Sequence, residues 1–236
     1  MNGFTDIHAH FVYGVDDGAQ SLADMEAMLD AAYADGIEFL FATPHVTPGI
    51  LPFNTRLFQR RLEEARRYCG RMGYPLKLYA GAEVMYTPIM EEYARERRLP
   101  TLAGSKYVLM ECLPDITLAE LDKALGIMDR AGYSTILAHI ERYSCMYYGN
   151  AHRLKEKHDV RYQVNCNTIL CKRGFFKDRA IENWLKEELI DFLASDSHDT
   201  VKRKSRMSQA YELLCRRKYQ PYADQLFGRI APQIHG

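Results

Sequence analysis

Seven short apolar runs alternate with longer amphipathic segments along this chain, and this alternation restricts its fold more than any other feature. Runs of four to seven residues that are rich in aliphatic and aromatic side chains are typical of buried parallel strands. They are Phe4–His8, Glu38–Thr43, Leu76–Ala82, Tyr107–Glu111, Thr135–His139, Tyr162–Asn165 and Asp191–Ser195. The segments between them predict helices at Ser21–Ala34, Thr55–Met72, Pro88–Arg97, Leu118–Ala131, Tyr147–Lys157, Asp178–Glu188 and Ser205–Lys218.

Several of these helices carry start and stop signals. Ser21 stands three residues before Asp24, which is an acidic version of the capping box. Gly36, Gly73 and Gly132 stand where helices should end, because glycine adopts the left-handed conformation that closes a helix. Seven strand-helix units without a visible linker predict one α/β domain over residues 1–236. A closed barrel similar to the eight-unit TIM barrel is expected, and an open doubly wound sheet is the alternative.

Charge and cysteine content exclude several classes of function. Lys and Arg total 31 and Asp and Glu total 31, so the chain lacks the basic surplus of a protein that binds nucleic acid irrespective of sequence. The six cysteines form no C-x-x-C pair and are read as reduced thiols of a cytoplasmic protein. The Cys-x5-Arg loop of cysteine-nucleophile phosphatases is absent. With no signal-peptide pattern and no apolar run near the ~20 residues of a membrane span, we expect no membrane insertion.

The first apolar run ends in His8-Ala9-His10. Side chains two residues apart on a strand share a face, so both imidazoles could reach one metal ion. This spacing also arises by chance in a chain with eight histidines. A pair of partly buried structural histidines is therefore the alternative interpretation at this point.

The later runs end in similar residues, and this changes the balance. Six of the seven predicted strands finish in His, Asp or Glu, namely His8 with His10, then His45, Glu83, Glu111, His139, and Asp196 with His198. In barrel enzymes catalytic groups converge on the rim formed by these strand ends. Imidazole and carboxylate without thiolate favour Zn, Mn or Fe over Ca or over Mg alone. At least seven candidate ligands exceed the needs of one ion, which indicates two or three ions with a bridging carboxylate.

Two arginines follow candidate ligands in loops. Arg142 lies three residues after His139, and Arg203 lies five residues after His198. A planar guanidinium beside a metal cluster suits a phosphate or carboxylate substrate because it can grip two oxygens. Exposed loop arginines without a substrate role are the alternative.

Seven motifs stand at or near these strand ends, namely Asp6–His10, Val15–Gly18, Ala42–His45, Tyr79–Glu83, Leu109–Glu111, Ala138–Tyr143 and Ala194–His198. Together these motifs resemble the polymerase-and-histidinol-phosphatase superfamily, in order from Asp6 to about Arg203. More narrowly, they are similar to its protein-tyrosine phosphatases of bacterial capsule and exopolysaccharide synthesis. The turn Asp16-Asp17-Gly18, the segment Ala138–Tyr143 and the segment Gln163–Asn165 favour that branch. The C-terminal Leu226-Phe227-Gly228-Arg229 departs from the family's pattern, which affects expectations for helix packing or assembly there.

The resemblance implies a distorted TIM-like (β/α)7 barrel that holds up to three divalent ions, in the first place manganese, with iron or zinc as alternatives. It implies that Arg142 and Arg203 bind the phosphate, and it leaves open whether His45, Asp17 or a water protonates the leaving group. The implied ligand sets are His8, His10, Glu83 and Asp196 for the first ion, Glu83, Glu111 and His139 for the second, and Asp17, His45 and His198 for the third.

The substrate implied by the resemblance is phosphotyrosine on a protein, such as the tyrosine-rich tail of a bacterial tyrosine kinase that controls polysaccharide export. Two alternatives stay open at this point. One keeps the fold and the metals but hydrolyses a small phosphomonoester such as histidinol phosphate. The other is a metal-stabilised scaffold that binds phosphotyrosine without hydrolysis. The oligomeric state is not determined by the sequence.

Overall fold

The computed structural model describes residues 3–50 and 53–228, so His235 and Arg229 lie outside the described residues. In that part of the chain the strands are β1 Phe4–Ala9, β2 Ile37–Ala42, β3 His45–Val46, β4 Lys77–Ala80, β5 Glu83–Met85, β6 Tyr107–Glu111, β7 Ser134–Leu137, β8 Val160–Asn165 and β9 Phe192–Ala194. The helices are α1 Leu22–Ala34, α2 Thr55–Met72, α3 Met90–Arg95, α4 Leu118–Arg130, α5 Asn150–Lys157, α6 Cys166–Leu170, α7 Phe175–Lys186, α8 Met207–Arg216 and α9 Gln220–Gly228. Short 3-10 helices cover Leu102–Gly104, Ile140–Arg142 and Ser144–Met146.

The seven predicted strands are all present, but the second and third are interrupted. The second continues from β2 into β3, and the third from β4 into β5. Hydrogen bonds bridge the gaps, because Gly81 N donates to Ala42 O at 2.9 Å and Glu83 N donates to Pro44 O at 3.0 Å. The sequence prediction missed α6 and α9, and it made the third helix too long, since only Met90–Arg95 is helical.

The predicted helix signals are confirmed where they can be read. Ser21 and Asp24 form a reciprocal capping box at the start of α1. Gly36, Gly73 and Gly132 all have positive φ after the ends of their helices. These residues set where each helix stops, and therefore where each following strand begins.

The strands form two parallel groups whose ladders do not close into a complete ring. One group has the order β1-β2-β4 and the other β3-β5-β6-β7-β8-β9. The gap between β9 and β1 is spanned by a single bridge between Ala9 and Ser197 and by Asp196 N donating to His8 O at 2.9 Å. His10 N also donates to Ser197 O at 2.8 Å across this gap. The barrel is therefore distorted, and the gap has ligand candidates on both sides.

Inside the ring, an apolar layer lies beneath the candidate ligands. It contains Ile7, Phe41, Leu102, Tyr107, Leu109, Ile136, Ala138, Phe192 and Ala194. Side chains two residues apart on a strand point to the same face. Glu111, two residues after Leu109, and Asp196, two after Ala194, therefore continue the inner face above the apolar layer. A larger apolar cluster packs the outer faces of the strands against the helices.

A β-bulge in β1 aims the two histidines into the same interior. Asp6 pairs with Leu40 of β2, and Ala9 pairs with Ala42. Two residues of β1 therefore lie opposite a single residue of β2. An extra residue reverses the alternation of side chains. Ile7 therefore packs in the interior layer while Ala9 packs in the outer cluster, and His8 and His10 follow on the inner face.

The last described helix, α9, packs with α8 against the start of β1. Phe227 and Tyr211 both contact the Phe4 ring at centroid distances of 5.3 Å. The segment that departs from the family's pattern thus packs through the buried Leu226 and Phe227 as far as it is described. Among the described residues, no helix combines the length and apolar character needed to cross a bilayer.

Candidate metal centre

Four buried side chains aim donor atoms at one point. His8 Nε2 lies 3.1 Å from His10 Nε2 and 3.1 Å from Glu83 Oε2. Asp196 Oδ1 lies 3.5 Å from His8 Nε2 and 3.7 Å from His10 Nε2. Donor atoms bound tetrahedrally to an ion at ~2.0–2.1 Å are separated by about 3.3–3.4 Å. The spacing of these four atoms therefore fits a shared cation.

The far side of each imidazole is held by a neighbour. His8 Nδ1 lies 3.2 Å from Gln163 Oε1, and His10 Nδ1 lies 2.7 Å from Asp16 Oδ2. An acceptor at Nδ1 fixes the tautomer that leaves the lone pair of Nε2 free for a metal. Both histidines are thus arranged as ligands rather than as mutual hydrogen-bond partners.

A second donor set lies against the first and shares Glu83. His139 Nε2 is 2.7 Å from Glu83 Oε1 and 3.7 Å from Glu111 Oε2. His45 Nδ1 is 3.1 Å from Glu83 Oε2 and 2.9 Å from Glu111 Oε1. Because its two oxygens face different groups of histidines, Glu83 is placed to bridge two ions.

A third group of donors forms the open edge of the centre. Asp17 Oδ1 lies 3.3 Å from His45 Nε2 and 3.4 Å from His198 Nε2. The side chain of Asp17 is 63% exposed, whereas that of His198 is buried. His10, Asp17, His45 and His198 can place one ligand atom each within 4.8 Å of one another. The grouping around this edge thus includes His10, which the sequence assigned only to the first set.

Within the described residues, two buried atoms of the centre lie near other ligand candidates but make no hydrogen bond of acceptable geometry. They are Glu83 Oε2 and His198 Nε2. Buried polar atoms normally have partners, because leaving one unmade costs about 1–3 kcal/mol. Both atoms point into the donor sets described above, so the side chains present fit divalent metal ions.

Both arginines reach the centre through the ligand candidate Asp196. Arg142 Nη2 lies 2.5 Å from Asp196 Oδ2, and Arg203 Nη2 lies 3.0 Å from Asp196 Oδ1. Arg203 Nη1 also lies 3.6 Å from Asp17 Oδ2. Each guanidinium keeps further N–H donors for an anion, since arginine carries five.

The buried carboxylates create a field that attracts cations. Burial acts to lower the pKa of His8, but the charges of Glu83 and Asp196 outweigh it and raise that pKa to about 10. Burial likewise acts on His45, and the hydrogen bond to Glu111 with the charge of Glu83 raises its pKa to about 9. Burial and the neighbouring His10 lower the pKa of His198 to about 4. A divalent ion would satisfy the same field that here favours protons.

Two ligand candidates sit on strained backbone at strand ends. His139 has φ 33° and Asp196 has φ 52°, both in the left-handed region. Such conformations cost about 1–3 kcal/mol for residues other than glycine and cluster at functional sites. His139 directly follows Ala138 of the interior layer, and its Nε2 lies 2.7 Å from Glu83 Oε1.

The sequence pattern of the family described as capsular polysaccharide synthesis, CpsB/CapC, matches residues 4–234. The chain belongs to this family. Tyrosine-protein phosphatase CpsB of Streptococcus agalactiae is 29% identical over 237 residues, which cover 97% of each chain. A solved structure reported with YwqE from Bacillus subtilis and CpsB from Streptococcus pneumoniae, described as unique metal-dependent tyrosine phosphatases, superimposes with TM-score 0.83 at 25% identity, covering 94% of this chain and 90% of that one.

A more distant likeness concerns the fold alone. Histidinol phosphate phosphatase from Lactococcus lactis subsp. lactis, solved with Zn, L-histidinol and phosphate, superimposes with TM-score 0.57 at 13% identity. The alignment covers 93% of this chain and 94% of that one. The CpsB/CapC barrel thus shares its architecture with phosphatases of small molecules.

The structure brings all eleven predicted site residues together, and it adds three that the sequence did not single out. Asp16 accepts from His45 N at 3.1 Å besides holding His10. Gln163 Oε1 accepts from His139 N at 2.9 Å, and Asn165 Nδ2 donates to Asp196 Oδ2 at 2.8 Å. The motifs that suggested the family contained all three, but only the folded chain shows which ligand each one holds.

Gly18 closes the turn that carries Asp16 and Asp17. A Cβ at this position would lie 2.0 Å from His10 O and 2.5 Å from His10 Cβ. Gly18 N also donates to Asp16 Oδ1 at 3.0 Å. Only glycine lets this turn approach the backbone of the ligand strand so closely.

The cysteines close to the centre are unsuited to act as nucleophiles. Burial raises the pKa of Cys112, which follows Glu111, and that of Cys166, which follows Asn165. The thiolate is the reactive form, so these buried thiols are inert at neutral pH. All six cysteines are free.

Proposed function

We propose that this protein is a metal-dependent phosphatase that removes phosphate from phosphotyrosine on a protein and so controls capsular or exopolysaccharide synthesis. The proposal depends on one observation, which is that donor atoms of His8, His10, Glu83 and Asp196 converge beside two arginines. The two arginines pair with different oxygens of Asp196. Family membership and the names of the relatives support the substrate class.

In this proposal His8, His10, Glu83 and Asp196 hold a first ion, and Glu83, Glu111 and His139 hold a second. Asp17, His45 and His198 hold a third. We propose manganese as the native metal, with iron or zinc as the alternatives, because imidazole mixed with carboxylate suits all three. When bound, the ions supply a nucleophilic hydroxide near neutral pH and neutralise charge on the phosphate.

The chain's own residues position the phosphate and assist departure of tyrosine. Arg142 and Arg203 stabilise charge on the phosphate oxygens with the N–H groups that Asp196 does not engage. Asp17 and His45 lie at the open edge, 3.3 Å apart, and either could give a proton to the leaving group while the third site holds no ion. With that site filled, a water would give the proton instead. A phenolate is a better leaving group than an alkoxide, so tyrosine esters need little help from this proton.

The partner, location and extent of the protein belong to the same proposal. The partner would be a phosphotyrosine-bearing protein, in the first place the tail of a bacterial tyrosine kinase, and no nucleic acid is expected. Free cysteines favour the cytoplasm. Residues 1–236 would form one catalytic domain.

Phosphate release from defined substrates tests the proposal. Protein stripped with a chelator and reloaded with Mn(II), Fe(II) or Zn(II) would be assayed on a phosphotyrosine peptide, the matching phosphoserine peptide and histidinol phosphate. We expect metal-dependent release from phosphotyrosine, with the phosphoserine peptide turned over at least tenfold more slowly. Turnover of histidinol phosphate in preference to the peptide would contradict the proposed substrate. Metal binding without release from any substrate would contradict the activity and favour a phosphotyrosine-binding scaffold.

A further inference from the structure

A cavity of about 640 Å³ opens beside the metal centre, between α7 and the segment that leads into α5. Tyr147 and Tyr148 line one wall, and Phe176, Arg179 and Trp184 line the other. Its size lies within the ~300–1,000 Å³ range of ligand sites. None of the candidate metal ligands lines it, so it is separate from the centre itself.

Arg142 joins this cavity to the centre. The arginine lines the cavity, and its Nη2 lies 2.5 Å from Asp196 Oδ2. A phosphate bound by Arg142 would therefore sit at the boundary between the two spaces. The parts of a substrate that extend from the phosphate have this cavity as an adjacent place to bind.

Two aromatic side chains on the walls of this cavity are largely exposed to solvent. Tyr148 is 95% exposed and Phe176 is 80% exposed. Tyr148 is also held at φ 59° in the left-handed region, an unfavourable conformation for an aromatic residue. The two walls meet where the ring of Tyr147 stacks on that of Trp184 at a centroid distance of 5.3 Å. Clusters of exposed aromatic side chains are characteristic of surfaces that bind proteins.

The charge of the lining is positive. Lys177 and Arg179 are exposed, and neither takes part in an ion pair within the described residues. The single carboxylate of the described lining belongs to Glu187, which already pairs with His152 at 3.0 Å. A surface with unpaired cations attracts segments of opposite charge and sets their orientation.

We infer that this cavity is a docking groove for an acidic polypeptide segment next to the phosphotyrosine. The inference rests on the proposed function, and it adds that the enzyme selects its substrates by flanking sequence. Acidic flanking side chains pair with Lys177 and Arg179, while flanking apolar or aromatic side chains cover Tyr148 and Phe176.

Charge reversal in the groove tests the inference. The full-length, metal-loaded Lys177→Glu/Arg179→Glu protein would be compared with wild type by kcat/KM on two phosphotyrosine peptides, one with Asp and Glu flanks and one with Ser and Ala flanks. Each value is referred to turnover of p-nitrophenyl phosphate, which has no flanking residues. We expect wild type to prefer the acidic peptide and the variant to lose at least tenfold on it, mainly through KM. The neutral peptide should change less than threefold.

Lys123→Glu/Arg216→Glu is the matched control, because it changes net charge equally at two exposed residues that do not line the cavity. Equal losses on both peptides, or an equal loss in the control, would overturn the groove. So would a change of oligomeric state in the groove variant by light scattering, which would make this face a contact between copies of the chain. Failure of wild type on all three substrates would instead overturn the proposed phosphatase activity.

Discussion

The inner and outer halves of the metal centre are built differently. His8, His10, Glu83 and Asp196 are buried, and neighbours such as Gln163, Asp16 and Asn165 fix them from behind. At the outer edge the side chain of Asp17 is 63% exposed, and its oxygens lie 3.3–3.6 Å from His45, His198 and Arg203. The inner half has the fixed geometry that a metal ion needs, whereas Asp17 at the outer edge is open to solvent.

Burial explains why cations would stabilise the inner half. Taking a carboxylate out of water costs several kcal/mol unless an opposite charge compensates it. The two buried carboxylates Glu83 and Asp196 hold low pKa values through neighbouring histidines and arginines despite that burial. Divalent ions would supply the same compensation, in the directions in which the donor atoms already point.

The largest effect is expected from His8→Ala. It deletes a ligand from the inner half, so metal content and activity should fall together by more than the ~100-fold upper limit seen for residues behind the ligands. Metal stoichiometry by mass spectrometry and phosphate release would be measured on the same samples, with circular dichroism to verify folding. A folded variant with normal metal content and normal turnover would show that the inner half is not the metal site.

Arg203→Ala should lower activity without lowering metal content. It removes an outer group that stabilises charge, so we expect kcat to fall by roughly 100-fold while metal content stays near that of wild type. Arg203→Lys should be intermediate, because lysine keeps the charge without the planar fork. If metal is lost in parallel with activity, Arg203 acts by supporting Asp196, and the proposed division between the halves is wrong.

Gly18→Ala tests how the turn of Asp16 and Asp17 is held against β1. The new Cβ would clash with His10 O, so the turn must shift, and we expect metal affinity to fall by some tens of fold. Gly70→Ala in α2 is the control, since no atom lies within 4 Å of its Cβ. The control should gain about 0.5–1 kcal/mol in free energy of unfolding. Unchanged metal titration in Gly18→Ala would show that the turn does not position the ligands.

Gln163→Ala should give the smallest of these effects, roughly tenfold weaker metal binding. It removes the acceptor that orients His8 Nδ1 and His139 N without deleting a ligand. Arg161→Ala lies two residues earlier on the same strand. It breaks an ion pair with Asp159 and a cation–π contact with Tyr107, neither of which involves a candidate ligand, so it should bind metal like wild type. Equal metal affinity for both variants would show that the inner half does not depend on support from behind.

The sequence alone predicted the seven strands, most helix boundaries and the eleven candidate site residues that the fold brings together. Period-two alternation carries the inner face of some strands from an apolar residue to a candidate ligand, as from Leu109 to Glu111. Glycines such as Gly73 mark helix ends because they adopt positive φ at little cost. These features are local, so they can be read along the chain without knowledge of the fold.

Only the tertiary structure decided how those residues meet. The bulge that turns His8 inward, the left-handed backbone at His139 and Asp196, and the support from Asp16, Gln163 and Asn165 depend on contacts between distant segments. The cavity beside Arg142 likewise arises where α7 packs near the segment leading into α5. Sequence patterns record which side a residue faces, but the direction of a donor atom depends on register and packing across the barrel.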